Sequence, residues 1–486
     1  MSDVASLTSW YSDFSQVRAL VFGLGVSGFS AADTLVELGA KVLVIAEHID
    51  AEHQEILEVL GVPCVIGDSA KRVGVELESF DPNLIIVSPG IRPEHEILQW
   101  SRNRDLPVWV DIELAWRVRD KVSANAAWFF ITGTNGKTTT TQLLEAMLNS
   151  GGLRTRACGN IGTPVLDVVR DPEPVDAVVV EISSFQLHYL GEVSPHSAVV
   201  LNVAEDHLDW HGSFETYSHT KGKVYENTQF SCVYNVQDTE TERLVEQAEV
   251  IEGARAIGFT LGTPAKSQVG YVEDILVDRA FLDDRANSAL EIATLDDISQ
   301  IGVLTPHLMA NVAAATAMAR SAGVAPVDIR EAIRTFRLDS HRIELVAEQN
   351  GIRWIDDSKA TNPHAAAASL NSFDSVVWLV GGLLKGVDIA PLIAEHSHKI
   401  RAAILLGKDQ SALIQAFSTV APEVQLIQLG TGDNAQVMQE AVAAAHELAQ
   451  PGDAVLLAPA AASMDQFKDY ADRGRQFADA VKAVLA

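Results

Sequence analysis

Short apolar runs, each stopped by glycine, proline or a carboxylate and followed by a longer stretch of mixed polarity, recur along the whole chain. Such runs predict buried strands alternating with helices, the pattern of open parallel sheets. Residues 18–24 predict a strand that enters Gly23-Leu-Gly25-Val-Ser-Gly28, then a helix from Phe29 to Leu38, then a strand over 41–47 that ends on Glu47. Further strands are expected at 84–91, turned by Ser88-Pro89-Gly90, and at 107–111, so a first domain should end near residue 118. Trp128-Phe-Phe-Ile-Thr132 leads into a glycine turn and a helix carrying Gln142 to Leu148, and strands follow at 176–181 and 198–203. Residues 271–300 hold eight Asp and Glu against two Arg with no sustained helical period, which predicts a solvated strand-and-loop insertion. An alanine-rich helix over 312–321 and a second one ending near Phe336 come next. A composition break at Arg337-Leu-Asp-Ser-His341-Arg342 marks a hinge, beyond which strands at 352–356, 376–381, 402–406, 424–429 and 454–457 alternate with helical stretches such as 435–448.

At 486 residues the chain exceeds what one core can organise, and about three domains are expected, at 1–118, 119–338 and 339–486. A hydrophobic content of 47% fills such cores. No run approaches the roughly 18 apolar residues of a membrane span, and Met1-Ser-Asp-Val-Ala-Ser lacks a basic region followed by an apolar one. A soluble, cytoplasmic protein without membrane insertion is the expectation. The three cysteines, Cys64, Cys158 and Cys232, are scattered without metal or disulfide spacing. A formal charge of −29 opposes nucleic-acid binding, so any anionic ligand must be held by local lysines, arginines and helix ends.

The chemistry concentrates at predicted strand ends. Gly133-Thr134-Asn135-Gly136-Lys137-Thr138-Thr139 is a phosphate cradle between strand and helix: its glycines let backbone N–H groups turn inward, Lys137 reaches terminal phosphates, and Thr138 is placed for magnesium. The general pattern wants a glycine where this chain has Ile131, so the loop is a shortened variant. Gly23 to Gly28 with Glu47 forms the dinucleotide-type fingerprint, which selects a nucleotide diphosphate without fixing which one. These loops predict an α/β protein whose outer two domains are Rossmann-like and whose central domain is P-loop ATPase-like, each an open, mostly parallel sheet with helices. Glu181 closes an otherwise apolar strand, and a buried carboxylate needs a cation, a metal or a protonated partner. Asp206 and His207 follow another strand, beside Glu205 and Asp209. In the last third, Asp357-Ser-Lys359-Ala-Thr361-Asn362, Gly381-Gly-Leu-Leu-Lys385 and Ser463-Met464 also sit at strand ends.

Taken together these motifs resemble the Mur ligase family of ATP-dependent amide-forming enzymes of peptidoglycan precursor synthesis, over nearly the whole chain. The run Ser463-Met-Asp-Gln-Phe467-Lys-Asp-Tyr470, together with the Asp357 motif, looks most like the member that joins D-glutamate to UDP-N-acetylmuramoyl-L-alanine. The resemblance implies those two substrates, ATP, Mg2+ and a monomer. It implies that Arg342, Asp357 and Asn311 hold ATP alongside residues 133–139, and that Glu181, His207 and Thr138 serve magnesium together with Lys221, the position that is carbamylated in the family. It assigns Gly25, Val26, Ser27, Glu47, Gly90, Asn160 and His207 to the UDP-sugar, and Lys359, Thr361, Lys385, Ser463, Met464 and Tyr470 to D-glutamate. Two positions depart from the family pattern: Leu308 stands where an asparagine often does, and Tyr470 replaces a frequent phenylalanine.

The residues fit that chemistry on their own terms. Joining a carboxylate to an amine in water is uphill, so the carboxylate must first be phosphorylated, which requires charge neutralisation around a transferring phosphoryl group. The amine must also lose a proton, and Asp206 and His207 are both placed for it. The Gly133 motif by itself would also suit another Mur-type or a folylpolyglutamate-type ligase; a nicotinamide oxidoreductase would leave Gly133 to Thr139 without a task, and a nucleotide-driven switch would have no use for Lys359, Lys385 and Ser463.

Overall fold

Apolar segments of the first third pair as β1 (Arg18–Phe22), β2 (Lys41–Ala46), β3 (Cys64–Ile66), β4 (Leu84–Val87) and β5 (Val108–Trp109), a parallel sheet in the order β3-β2-β1-β4-β5 in this computed structural model. The structure describes residues 4–47, 49, 51–67, 70–430, 432 and 434–485; residues 1–3, which begin the stretch expected to lack a leader, lie outside the described residues. Connections reverse direction between β1 and β4, so the turns after these strands face one crevice. They meet closely: a Cβ on Gly23 (φ +93°) would stand 2.6 Å from the Ser88 side chain. The helix begins earlier than its apolar pattern suggested, at Val26, because extended Gly25 caps it, so Val26 and Ser27 lie in its first turn. The last strand is shorter than expected because Asp111 opens the helix Asp111–Arg117.

The central sheet is built from β6 (Ala127–Thr132), β7 (Thr155–Gly159), β8 (Ala177–Glu181), β9 (Ser197–Val200), β10 (Ser231–Asn235), β11 (Arg255–Phe259), β12 (Gln268–Val272), β13 (Ile275–Asp278) and β14 (Leu290–Thr294). Its order is β14-β13-β12-β11-β10-β9-β6-β8-β7, parallel except at β12-β13 and β13-β14. The strand-and-loop character expected of 271–300 is found, with 283–284 and 286–291 exposed, but its strands are not solvated on both faces. Leu276, Val277, Ile292 and Ala293 are buried there, and the acidic Asp278 and Asp297 are themselves buried against Arg320 (2.9 Å) and Arg334 (2.6 Å). Counting charges misled because these carboxylates are paired inside the fold instead of facing water. The alanine-rich helix runs from Pro306 to Ser321, starting well before residue 312: Thr305 accepts the Leu308 N–H as N-cap and Pro306 takes the first turn.

The last sheet comprises β15 (Glu344–Gln349), β16 (Ile352–Asp356), β17 (Val376–Gly381), β18 (Ile400–Leu406), β19 (Gln425–Gln428) and β20 (Ala454–Leu457), ordered β15-β16-β20-β17-β18-β19. Only β15, an acidic edge strand that the apolar pattern did not predict, is antiparallel. A single apolar cluster joins one face of the N-terminal sheet to one face of the central sheet, running from Val21 and Trp109 through Ile112 to Phe130 and Val180. The last sheet has its own clusters on its two faces. No helix among the described residues is long and apolar enough to cross a membrane.

Candidate active site

β6 is flanked by β8 and β9, so three strand ends, Thr132, Glu181 and Val200, open on one edge. The phosphate loop follows β6. Gly136 takes φ +83° where a Cβ would meet the Asn311 Oδ1 at 2.3 Å, so no other residue fits both the backbone and the space. Asn202, just past β9, staples the loop through both backbone groups of Asn135, accepting its N–H at 2.9 Å and donating to its carbonyl at 3.1 Å. The helix Lys137–Ser150 then starts with its N-terminus at the turn.

Two lysines converge beneath this loop. Lys137 Nζ donates to the Gly133 and Thr134 carbonyls at 2.9 and 3.0 Å, and Lys221 Nζ donates to the same Gly133 carbonyl at 2.8 Å. Lys221 is 1% exposed, on the helix Phe214–Gly222, with its Nζ 4.7 Å from the Tyr217 ring centroid. Burial, reinforced by the Lys137 charge, holds the Lys221 amine well below the usual lysine range. Glu181 accepts from Asn160 Nδ2 on Oε1 at 2.9 Å, while its buried Oε2 has no partner. His207 sits at φ +54° with Nε2 3.6 Å from Asp206 Oδ2. Burial outweighs that carboxylate and lowers the imidazole to about 4, so it is neutral at physiological pH.

The last sheet faces this edge. Asp357, just past β16, accepts from the Ile343 N–H at 3.3 Å and from the Ser369 hydroxyl, and burial raises it to about 6. Lys359 Nζ stands 3.8 Å above the Tyr470 ring, and burial first, then the Arg342 charge, lowers it to about 8. Lys385 Nζ reaches across to Asp206 Oδ1 at 3.8 Å. Arg342 is held between two residues in left-handed backbone, His341 (φ +70°) and Ile343 (φ +47°).

These groups enclose one cavity of about 280 Å³, lined by Thr134 to Thr139, Asn160, Glu181, Asp206, His207, Asn311, Arg342, Asp357, Lys359, Thr361 and Lys385. Lys221 and Gly133 do not line it; Lys221 lies behind the loop, bonded to Gly133. Gly25, Val26, Ser27, Glu47 and Gly90 lie apart, at the edge of the N-terminal sheet, where Gly90 accepts from the Trp210 indole of the central body at 3.2 Å. Ser463 is buried beside the Leu383–Ala462 bridge, whereas Met464 is 71% exposed, and Tyr470 approaches only through Lys359. The reading of the motifs passed over Asn202, Tyr217, His307, His364 and Ser369. His307, which opens the stretch ending at Asn311, and His364, two residues past the Asp357-to-Asn362 motif, carry a local signal.

The Mur ligase MurD-like N-terminal domain profile matches residues 17–109, the Mur ligase middle domain matches 131–319, and the Mur ligase glutamate ligase domain matches 341–461. A UDP-N-acetylmuramoylalanine–D-glutamate ligase of Leifsonia xyli subsp. xyli is 52% identical over 493 residues, covering 99% of this chain and 95% of that one. One from Streptomyces coelicolor is 47% identical, covering 98% and 100%. Among solved structures, the MurF ligase of Thermotoga maritima in complex with ADP shares the fold at a TM-score of 0.54 and 17% identity, over 100% of this chain and 99% of that one.

Proposed function

Because the chain belongs to the Mur ligase family, we propose that this cavity is where ATP, a UDP-sugar carboxylate and an incoming amino acid meet. The chain is an ATP-dependent ligase that adds D-glutamate to UDP-N-acetylmuramoyl-L-alanine, releasing ADP and phosphate, in peptidoglycan precursor synthesis. The observation that carries the site reading is the convergence of the phosphate loop of one sheet with Arg342, Lys359 and Lys385 of another around one cavity.

In this reading residues 133–139 cradle the ATP phosphates, Arg342 and Asp357 hold the nucleotide from the third domain, and Asn311 supports the loop from behind while facing the adenine side. The donor set suits magnesium: Glu181 offers a buried, unshared oxygen and His207 a neutral imidazole, with Thr138 at the loop. Lys221, with its amine kept neutral, adds carbon dioxide to give a carbamate and a proton, which places an anion where a neutral amine stood behind the loop. A magnesium ion held by Glu181, His207 and Thr138 would supply positive charge against the transferring phosphoryl group. Lys137 swings from its own loop carbonyls to the phosphates, offsetting the charge that develops as the UDP-sugar carboxylate becomes an acyl phosphate. Lys359, Lys385, Thr361 and Ser463 hold the two carboxylates of D-glutamate, with Met464 and Tyr470 at the rim of that pocket. Its amine gives its proton to the Asp206–His207 pair and attacks the acyl carbon, expelling phosphate. Gly25, Val26, Ser27, Glu47 and Gly90 take the uridine diphosphate, and Asn160 and His207 the sugar end. Domains 1–118, 119–338 and 339–486 divide these tasks, in a cytoplasmic monomer.

Phosphate release with UDP-N-acetylmuramoyl-L-alanine and ATP should require D-glutamate. Equal turnover with L-glutamate, L-alanine, L-lysine or meso-diaminopimelate would overturn the substrate assignment.

A further inference from the structure

Asn135 is the one position of the phosphate loop whose backbone and side chain are given to different bodies. Asn202 occupies its backbone N–H and carbonyl, which fixes the residue to the central sheet. Its amide turns the other way and spends its hydrogen bonds on the last domain: Oδ1 accepts from Asn362 Nδ2 at 3.1 Å, and Nδ2 faces Asn362 Oδ1 at 3.4 Å and His364 Nδ1 at 2.9 Å. On the far side, Asn362 is 5% exposed and is itself fixed, as its Oδ1 caps the helix Pro363–Asn371 by accepting the Ala365 N–H at 2.9 Å. Its Nδ2 also donates to Asp206 Oδ2 at 3.3 Å, the carboxylate that Lys385 approaches.

Each side is therefore rigid and the contact between them is a set of amide and imidazole hydrogen bonds, each of which water can replace at small net cost. That is the character of a joint that must close and reopen with every turnover, and not of a permanent interface, which would bury apolar surface. The apolar clusters bear this out: those of the last sheet are separate from the cluster that fuses the first two sheets. His364 serves the joint as an acceptor, which requires a neutral ring, and burial keeps its pKa below the usual histidine value against the weaker pull of Asp238.

Resting on the ligase reading above, we infer that Asn135, Asn362 and His364 form a clasp that holds the third domain closed on the phosphate loop. They act as positioning residues: closure through Asn135 places Lys359 and Lys385 for D-glutamate, and Asn362 sets Asp206 in the same movement. Nucleotide in the loop and amino acid in the third domain are thereby coupled through one side chain.

The test uses the full chain with His364→Ala, which deletes the acceptor; His364→Asn, whose Oδ1 restores it; and Asn362→Ser, which keeps the helix cap but cannot reach Asn135. With a non-hydrolysable ATP analogue plus UDP-N-acetylmuramoyl-L-alanine, small-angle scattering should show compaction in the wild type and in His364→Asn, and reduced compaction in the other two. The apparent KM for D-glutamate should rise about three- to tenfold in His364→Ala and Asn362→Ser, the effect of losing one such bond, while the ADP dissociation constant, carried mainly by the phosphate loop, rises by a smaller factor. Wild-type compaction and D-glutamate KM in both variants overturns the clasp, as does an equal loss of ADP affinity, which would make these residues part of the nucleotide site. Thermal melts identify a variant that fails to fold, and the remaining one then decides. If the wild type turns over no D-glutamate, the ligase reading fails, and the compaction measurement still decides the clasp.

Discussion

Two lysine ammonium groups cannot comfortably share one carbonyl in a buried place, yet Lys137 and Lys221 both point at the Gly133 oxygen. The conflict is relieved if Lys221 is neutral and becomes a carbamate, leaving Lys137 free to move to the phosphates. Replacing Lys221 with Arg keeps a cation and forbids carbamylation, so Lys221→Arg should lose about 100-fold or more in kcat, no less than Lys221→Ala; near-normal activity in Lys221→Arg would refute the carbamate. Bicarbonate should also restore wild-type enzyme assayed in carbon-dioxide-depleted buffer. Lys359 gives a pH signature. Its amine is lowered to about 8 and must be protonated to hold a carboxylate, so kcat/KM for D-glutamate should fall as pH rises through about 8. The substrate amine imposes the opposite, rising limb, and Lys359→Arg should move the falling limb out of range while leaving the rising one in place. A falling limb unchanged in Lys359→Arg would assign it to another group. At this scale the motifs were legible because phosphate loops and strand-end carboxylates have fixed local requirements. His364, Asn202 and Ser369 were not, since their partners Asn135 and Asp357 come from other elements and only the folded chain brings them together.

Elements were legible wherever burial is two-sided. Most parallel strands near the middle of each sheet stand out as continuous apolar runs, whereas the parallel strands β3, β7, β10 and β11, which are short or carry polar residues, and the acidic, half-exposed β15 do not. The segment 271–300 is less solvated than its charge suggests because two of its acids, Asp278 and Asp297, are buried against arginines from helices after it in the chain, Arg320 and Arg334, while its other acids are exposed. The segment between the helix Pro326–Thr335 and β15 shows what an edge strand is for. Glu344 pairs with Asp356 across β15-β16, and His341 lies over both, taking Asp356 Oδ2 on its ring at 2.6 Å and Glu344 Oε2 on its backbone N–H at 2.8 Å. The Asp356 hydrogen bond raises the His341 pKa above its ordinary value, against burial first and the Arg475 charge second. A raised pKa contributes stability that is fully present below about 6.5 and is lost as pH rises through the folded value. The melting temperature should therefore fall over that window in the wild type and less so in His341→Gln; identical pH dependence would remove His341 from the account. Gly474→Ala would put a Cβ 2.2 Å from His341 Nδ1 and should destabilise the chain by about 1–3 kcal/mol.

At the scale of the molecule, one apolar cluster spans the first two sheets while the third has clusters of its own, so motion as two bodies is the expectation. Beyond the shared apolar cluster, the first two sheets are tied by Arg170 to Asp33 at 2.5 Å, Gly191 to Glu113 at 2.5 Å and Tyr189 to the Ile91 carbonyl at 2.6 Å. The third is joined through the segment 336–342, through Val303 packed on the edge of its apolar cluster, and through polar contacts, including Gln142 to Asp339 at 2.7 Å. A motion that admits ATP should thus swing the third domain about this segment while the first two move as a unit. Arg337 lies exposed in the segment, which makes it a tryptic site whose cleavage needs local opening. An ATP analogue with UDP-N-acetylmuramoyl-L-alanine, by favouring the closed arrangement, should slow cleavage after Arg337 several-fold relative to the free protein, and either ligand alone should protect less. A cut between the first two sheets that responds to ligand as strongly as the one at Arg337 would show that they too separate, and the two-body description would have to be abandoned.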